Sequence, residues 1–315
     1  LRKDVTICST ISKKSWNLQN SFPLEDLSII TEAISRKLGE SISITSVQPV
    51  SGGCINECFR IDSEGYPTFF LKKNCLSFLP FFEAEALALK EIKSSDTVRV
   101  PDVICFGKTA QHSFLVLEFM EIGGNSDSIQ KNLGRQLAQM HRSSKEYFGW
   151  ETDNCIGSTP QPNPKTESWV SFYRDFRLLH QFNLAEKKGR LFKNKSDLLE
   201  GIDVFFHDYS PHPSLLHGDL WGGNSGSTQA GEPFIFDPAS YYGDRETDLA
   251  FTYMFGGFSS AFYLGYEKIY PLDKGFHTRK ILYNLYHELN HFNLFGGGYA
   301  NSAESSINQL MKHIH

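Results

Sequence analysis

The chain lacks any apolar run approaching the roughly 18 residues that a bilayer-crossing helix needs. It has no surplus of basic residues either. Thirty-one Lys and Arg stand against 36 Asp and Glu, a formal charge of −5. Nucleic-acid affinity rests on clustered cations that displace counterions from phosphates, so neither nucleic acid nor membrane is an expected partner, and any phosphate is held locally. Cysteine is sparse: Cys8, Cys54, Cys58, Cys75, Cys105 and Cys155 include no C-x-x-C pair, which argues against a disulfide scaffold, a zinc ribbon or a thioredoxin-type site. A reducing intracellular compartment is the expectation, a plastid if the source is a plant and the cytoplasm otherwise. The stretch up to Lys14 has one acidic residue and no apolar segment of the signal-peptide kind, compatible with the remnant of an organellar transit peptide or an arbitrary boundary. No internal repeat or low-complexity tract occurs.

What is present describes a globular protein: 315 residues, 40% apolar, 14% aromatic and 21% charged, enough to build two lobes around a substantial core. Leu27, Ile30, Ile34 and Leu38 recur at helical spacing before Gly39, which predicts a helix over 24–38 with a glycine cap. Strands follow over 43–50, 58–62 and 68–72, then a helix over 81–93 and strands over 103–106 and 114–119. The segment 121–126, containing Gly123 and Gly124, reads as a hinge. Beyond it the pattern is helical over 129–143, 166–188 and 194–209. A loop at 211–224 and a strand at 234–236 precede further helices over 245–255, 259–266, 274–295 and 300–315. A β-rich lobe over 24–120 and a mainly helical lobe over 121–315 make the expected fold class α+β and bilobal.

The chemistry centres on His217-Gly218-Asp219-Leu220-Trp221-Gly222-Gly223-Asn224. Asp219 and Asn224 stand five apart, the spacing of the kinase loop H-x-D-x-x-x-x-N, in which Asp accepts the acceptor hydroxyl's proton and Asn holds a metal. Thirteen residues on, Asp237 ends the apolar strand Phe234-Ile235-Phe236, where a carboxylate suits the Mg²⁺ that bridges nucleotide phosphates. Taken singly, each is equally an Asx-turn or a tight loop; taken together they point to phosphoryl transfer from ATP. Gly52 and Gly53, between two strand signals, offer backbone amides to phosphates, or are an ordinary hairpin turn. Lys72 on the next strand and Glu85 on the next helix stand in the order of a phosphate-gripping pair. Glu83 competes with Glu85, and alternation points Lys73 to the opposite face. Glu118 and Met120, in the strand that enters the hinge, would present backbone groups to adenine, unless that strand is merely buried.

These pieces resemble the fructosamine-3-kinase and ketosamine-3-kinase (protein-ribulosamine 3-kinase) family, relatives of aminoglycoside and choline kinases with a protein-kinase-like, aminoglycoside-phosphotransferase-like fold. Ser51-Gly52-Gly53-Cys54-Ile55-Asn56, Phe70-Leu71-Lys72-Lys73-Asn74, Phe82-Glu83-Ala84-Glu85-Ala86, the loop from His217 to Asn224, Phe236-Asp237-Pro238-Ala239, Tyr241 to Ala250 and Leu289 to Tyr299 carry the likeness. The fit at Gly52-Gly53-Cys54-Ile55-Asn56 looks nearest to plant and other eukaryotic branches. The resemblance implies ATP- and Mg²⁺-dependent phosphorylation of the sugar 3-hydroxyl of ketosamines, free or on glycated proteins, followed by release of the amine. It implies Asp219 as base, Asn224 and Asp237 as metal ligands, Lys72 and Glu85 as the phosphate pair, and Gly52, Gly53 and Cys54 in the nucleotide loop. Trp221 would face the sugar, its alternative being an anchor in the core.

Two further signals compete. His287-Glu288-Leu289-Asn290-His291 matches the helical zinc-hydrolase pattern H-E-x-x-H but has no evident third ligand. Cys54 lies in a loop that must move over ATP. Its oxidation, to another chain or to Cys58, would turn activity down, and the bond to another chain would make a redox-dependent homodimer; the alternative is an inert space-filling thiol. An inactive nucleotide-binding protein and an aminoglycoside or choline kinase remain the other functional readings.

Overall fold

The computed structural model describes residues 22–50 and 55–314. Five antiparallel strands, β1 (Ile44–Pro49), β2 (Glu57–Ser63), β3 (Phe69–Cys75), β4 (Val103–Lys108) and β5 (His112–Glu118), form a sheet in the order β1-β2-β3-β5-β4. Helix α1 (Leu24–Leu38) covers one face and α2 (Leu79–Ser94) packs on the other. Register explains how the sheet sorts its side chains. Leu71 lies opposite Phe59 and Val116, and these join Ile30 and Ile34 of α1 in one apolar cluster. One residue along, Lys72 lies opposite Cys58 and Leu115 on the other face. Lys73 returns to the first, where its ammonium sits 4.9 Å from the Phe22 ring and pairs with Glu57 at 2.8 Å.

The remainder is mainly helical: α3 (Asp127–Met140), α4 (Trp169–Tyr173) running through a π-turn at Arg174–Leu179 into α5 (His180–Lys187), α6 (Lys195–Glu200), α7 (Glu246–Thr252), α8 (Ser260–Ile269), α9 (Phe276–Phe295) and α10 (Tyr299–Met311). Short antiparallel pairs punctuate it: β6 (Asn154–Ile156) with β7 (Thr159–Gln161), β8 (Ser214–Leu215) with β11 (Tyr242–Gly243), and β9 (Ser225–Ser227) with β10 (Pro233–Ile235). The class is α+β. The helix expected over 194–209 is instead α6 and a 3-10 turn at Ile202–Phe206, broken at Gly201, where a Cβ would meet the Ile314 side chain at 2.6 Å.

We propose lobes over 24–120 and 121–315 on topology, yet burial runs across that division. Phe82, Leu89 and Ile92 of α2 and Leu115 and Leu117 of β5 belong to the same core as Leu133 and Leu137 of α3, Phe172 of α4 and Leu282 of α9. The chain after β5 is also stitched to β9, since Gly123 N–H donates to the Ser227 carbonyl at 2.6 Å.

Helices α3 and α8 cross at backbone distance. A Cβ on Gly134 would lie 2.0 Å from the Phe262 carbonyl oxygen, and one on Gly265 would lie 2.1 Å from that of Lys131. Backbone cannot yield as a side-chain end does. Gly134→Ala should therefore lose about 2–3 kcal/mol of stability through overpacking, despite the gain of about 1 kcal/mol that Ala brings to a helix interior. Urea midpoints at unchanged slope measure it; a stabilised variant would show that the crossing is not held at this distance.

Candidate active site

Helix α7 fixes the loop between β8 and β9 from below. The two oxygens of the buried Asp248 carboxylate accept the backbone N–H groups of His217 (2.7 Å) and Gly218 (2.8 Å). Gly218 has φ +82°, and a Cβ there would lie 2.1 Å from the Ala239 carbonyl oxygen, so only glycine lets the loop lie this close to the segment after Asp237. The His217 ring joins the two segments. Its Nε2–H donates to the Phe236 carbonyl at 2.9 Å and its Nδ1 accepts the Asp219 N–H at 3.2 Å. That pattern requires a neutral imidazole, and burial depresses its pKa accordingly.

The five-residue spacing from Asp219 to Asn224 closes on itself. Asn224 Nδ2 donates to the Asp219 carbonyl (2.9 Å) and to its carboxylate Oδ2 (3.1 Å). Removal from water, and then the negative charge of Asp237, raise the Asp219 carboxyl well above the ordinary range, with only partial relief from Asn224.

Asp237 takes the left-handed conformation, φ +57°, which Asp tolerates better than most residues and which is costly enough to need external support. Phe236 N–H donates to the Asn224 carbonyl (3.0 Å) and Ala239 N–H to that of His217 (2.9 Å). Across the cleft the buried Lys72 ammonium lies 2.6 Å from both Glu85 Oε1 and Asp237 Oδ1. Burial opposes its charge, but Asp237 and then Glu85 outweigh that and keep it protonated. Glu83 is exposed on the far side of α2, which decides between the two glutamates.

Lys72, Glu85, Asp219, Asn224 and Asp237 are thus brought together. Trp221, two residues after Asp219, is 41% exposed, its ring packed over Gly223 and edge-on to Phe255 at 6.2 Å, so it is not a core anchor. At the strand leading out of the sheet, Glu118 has its carboxylate on Arg99 (2.6 Å) and its N–H on the Asp102 carbonyl (2.8 Å); Met120 follows half-buried. Gly52, Gly53 and Cys54 lie outside the described residues, and with them the redox role and the dimer contact assigned to Cys54. Cys58, the suggested thiol partner, is pushed up to about 11 by burial.

Three contributors were given no role by the motifs: Asp248, although it lies in the run Tyr241–Ala250, His141 at the end of α3, and Tyr266 in α8. Since the ionised Asp248 can only accept, His141 donates Nε2–H to it at 3.1 Å and accepts the Tyr266 hydroxyl on Nδ1 at 2.7 Å; Arg245 in turn donates to Tyr266 at 3.2 Å. The available signal was the run Tyr241–Ala250, every residue of which is buried although it includes Asp244, Glu246 and Asp248. In the H-E-x-x-H segment, His287 stacks on Phe251 at 3.6 Å and His291 Nδ1 donates to the His287 carbonyl at 2.8 Å, so both rings serve packing within the helical lobe. Among the described residues no group of three or more His, Cys, Asp or Glu side chains is arranged to hold a metal ion.

Comparison with known proteins shows the family. The profile of the family described as "Fructosamine kinase" matches residues 27–313. A probable ketoamine kinase of Synechocystis is 46% identical over 285 residues, 90% of this chain and 96% of that protein. The chloroplastic protein-ribulosamine 3-kinase of Arabidopsis thaliana is 39% identical over 280 residues, 87% of this chain and 85% of the relative. The crystal structure of a Haemophilus somnus protein assigned to the fructosamine-3-kinases superposes with a TM-score of 0.84 at 31% identity, covering 90% of this chain and 96% of that one. An aminoglycoside-3'-phosphotransferase, at 16% identity and a TM-score of 0.50, shares the protein-kinase-like fold alone. The chain belongs to the fructosamine kinase family and is an ATP-dependent kinase.

Proposed function

We propose that the protein transfers the γ-phosphoryl group of ATP to the 3-hydroxyl of a ketosamine, ribulose- or fructose-derived, on a small amine or a glycated protein, so that the phosphorylated adduct decomposes and frees the amine. The convergence of Asp219, Asn224, Asp237, Lys72 and Glu85 in a chain that matches the fructosamine kinase family across residues 27–313 carries this reading. No helix among the described residues is long and apolar enough to cross a membrane. The four described free thiols, Cys58, Cys75, Cys105 and Cys155, suit a reducing intracellular compartment.

The residues suit a divalent cation of the magnesium kind. Such an ion takes one or two protein oxygens and completes its shell with phosphate and water, and Asn224 and Asp237 supply that number on oxygen-bearing side chains beside the nucleotide-gripping lysine. Asn224 and Asp237 would hold such an ion, which would supply positive charge to offset the negative charge of the phosphates. The chain does the rest. Lys72, held by Glu85, aims a fixed positive charge at the phosphates. Asp219, oriented by Asn224, accepts the proton of the sugar 3-hydroxyl. Trp221 offers an apolar face to the sugar carbons.

Asp219→Asn should lower kcat for a ketosamine by about a thousand-fold, with nucleotide binding retained, in an assay of ATP consumption run in parallel with choline and an aminoglycoside. Retained turnover in that variant would refute the role of Asp219, and faster turnover of choline or aminoglycoside would overturn the substrate assignment.

The base works only when ionised, and its carboxyl is raised. Activity therefore rises with pH through that raised value and is lost as pH falls through it. The acid limb of kcat/KM should lie above the range of an exposed aspartate; a profile still flat at the ordinary carboxylate value would contradict it.

A further inference from the structure

A buried cation in the helical part of the chain has no part in the chemistry described so far. Arg177, in the π-turn between α4 and α5, is fully buried, and its guanidinium finds carbonyls and a side-chain amide rather than a carboxylate among the described residues. Its partners are the carbonyls of Pro162 (2.7 Å) and Phe176 (3.0 Å) and Asn163 Oδ1 (2.6 Å), with the Tyr241 ring 4.1 Å from its centre. Burying a cation on such terms is expensive, and irregular turns of this type concentrate at functional sites.

A guanidinium can only donate, so it dictates the polarity of whatever it touches. Asn163 must turn its oxygen to Arg177, which leaves its Nδ2 to donate to Asn154 Oδ1 at 2.9 Å. Asn154 must therefore point its own Nδ2 the other way, onto the Ser240 carbonyl at 2.8 Å. Gln161 is fixed from a second side. The Tyr286 hydroxyl donates to its Oε1 at 2.6 Å, so its Nε2 donates to Asn154 Oδ1 (2.8 Å) and to the Ala239 carbonyl (3.2 Å). The backbone of Ala239 is thus held on both sides, its N–H donating to the His217 carbonyl of the catalytic loop and its C=O accepting from Gln161 of the β6–β7 hairpin. Asp237, two residues before it, sits at φ +57°.

We propose that Arg177, acting through Asn163, Asn154 and Gln161, is the positioning device that holds the backbone at Ala239 and Ser240 and thereby keeps the Asp237 carboxylate aimed at the metal ion. The inference rests on the metal-binding role proposed above for Asp237. Outer partners of this kind typically change metal affinity by about 10- to 100-fold when removed.

Binding of Mn²⁺ in the presence of a non-hydrolysable ATP analogue, read from the loss of the free-ion EPR signal, tests it without turnover. Gln161→Met keeps the volume and removes all three polar contacts; it should weaken Mn²⁺ binding about ten-fold, while analogue binding in EDTA stays as in the wild type. Asp237→Asn is run alongside. If Asp237→Asn weakens Mn²⁺ binding and Gln161→Met does not, the positioning role is overturned while the role of Asp237 stands. If Asp237→Asn binds Mn²⁺ as the wild type does, the metal role of Asp237 fails first, and the inference with it. Should Gln161→Met fail to fold, Tyr286→Phe removes only the hydroxyl that orients Gln161 and should weaken binding about three-fold; wild-type affinity there would overturn the proposal equally.

Discussion

Asp248 gives up nearly all contact with water and remains ionised. Burial favours its neutral form, but the His141 imidazole and the His217 and Gly218 amides donate to it and hold its pKa below the ordinary carboxylate value. Those bonds set the height and direction of the catalytic loop. With His217 and Gly218 pinned, the His217 ring reaches the Phe236 carbonyl, Gly218 meets the Ala239 peptide, and Asp219 and Asn224 close on each other. The anchor is itself braced, since Tyr266 orients His141 and Arg245 joins Tyr266 to the carbonyls of Tyr270 (3.1 Å) and Pro271 (2.6 Å). Donors from α8 on one side and from the loop of Asp219 on the other thus converge on one carboxylate.

The site assembled on that anchor has more negative than positive charge. Glu85 and Asp237 share the ammonium of Lys72, and the carboxyl of Asp219, which does not touch that ammonium, rises as burial and Asp237 act on it. Such an arrangement favours an arriving cation, and one carried in by nucleotide phosphates would relieve the repulsion between Asp219 and Asp237. The strain stored at Asp237 is consistent with that use. A left-handed aspartate gripped from the catalytic loop on one side and the β6–β7 hairpin on the other is held where relaxed backbone would not leave it.

Much of this was legible before the fold was known, and the reasons divide by range. The spacing of Asp219, Asn224 and Asp237, and the strand alternation that separates Lys72 from Lys73, are local, and local periodicity survives in sequence. The first helix was legible too, from Leu24 to the Gly39 cap, although its buried stripe starts at Asp26 rather than Leu27, because Asp26 pairs with His112 at 2.8 Å. What escaped is non-local. Asp248 lies 29 residues beyond Asp219 and looks like any helical acid until α7 is packed beneath the loop. Of the short pairs β6–β7, β8–β11 and β9–β10, only β10 left a signal, the apolar run expected over 234–236; the others are too short for alternation to register, so the hairpin carrying Asn154 and Gln161 gave none. The choice of Glu85 over Glu83 likewise needed the helix placed against β3.

The central claim is that this site phosphorylates one particular hydroxyl of a sugar joined to an amine. The position of the phosphate in the product tests it most directly. With a ribulose- or fructose-derived amine labelled with ¹³C at every sugar carbon, NMR of the product should show carbon–phosphorus coupling centred on C3, followed by appearance of free amine. Coupling centred on another carbon, or ATP consumption without a sugar phosphate, would contradict the account.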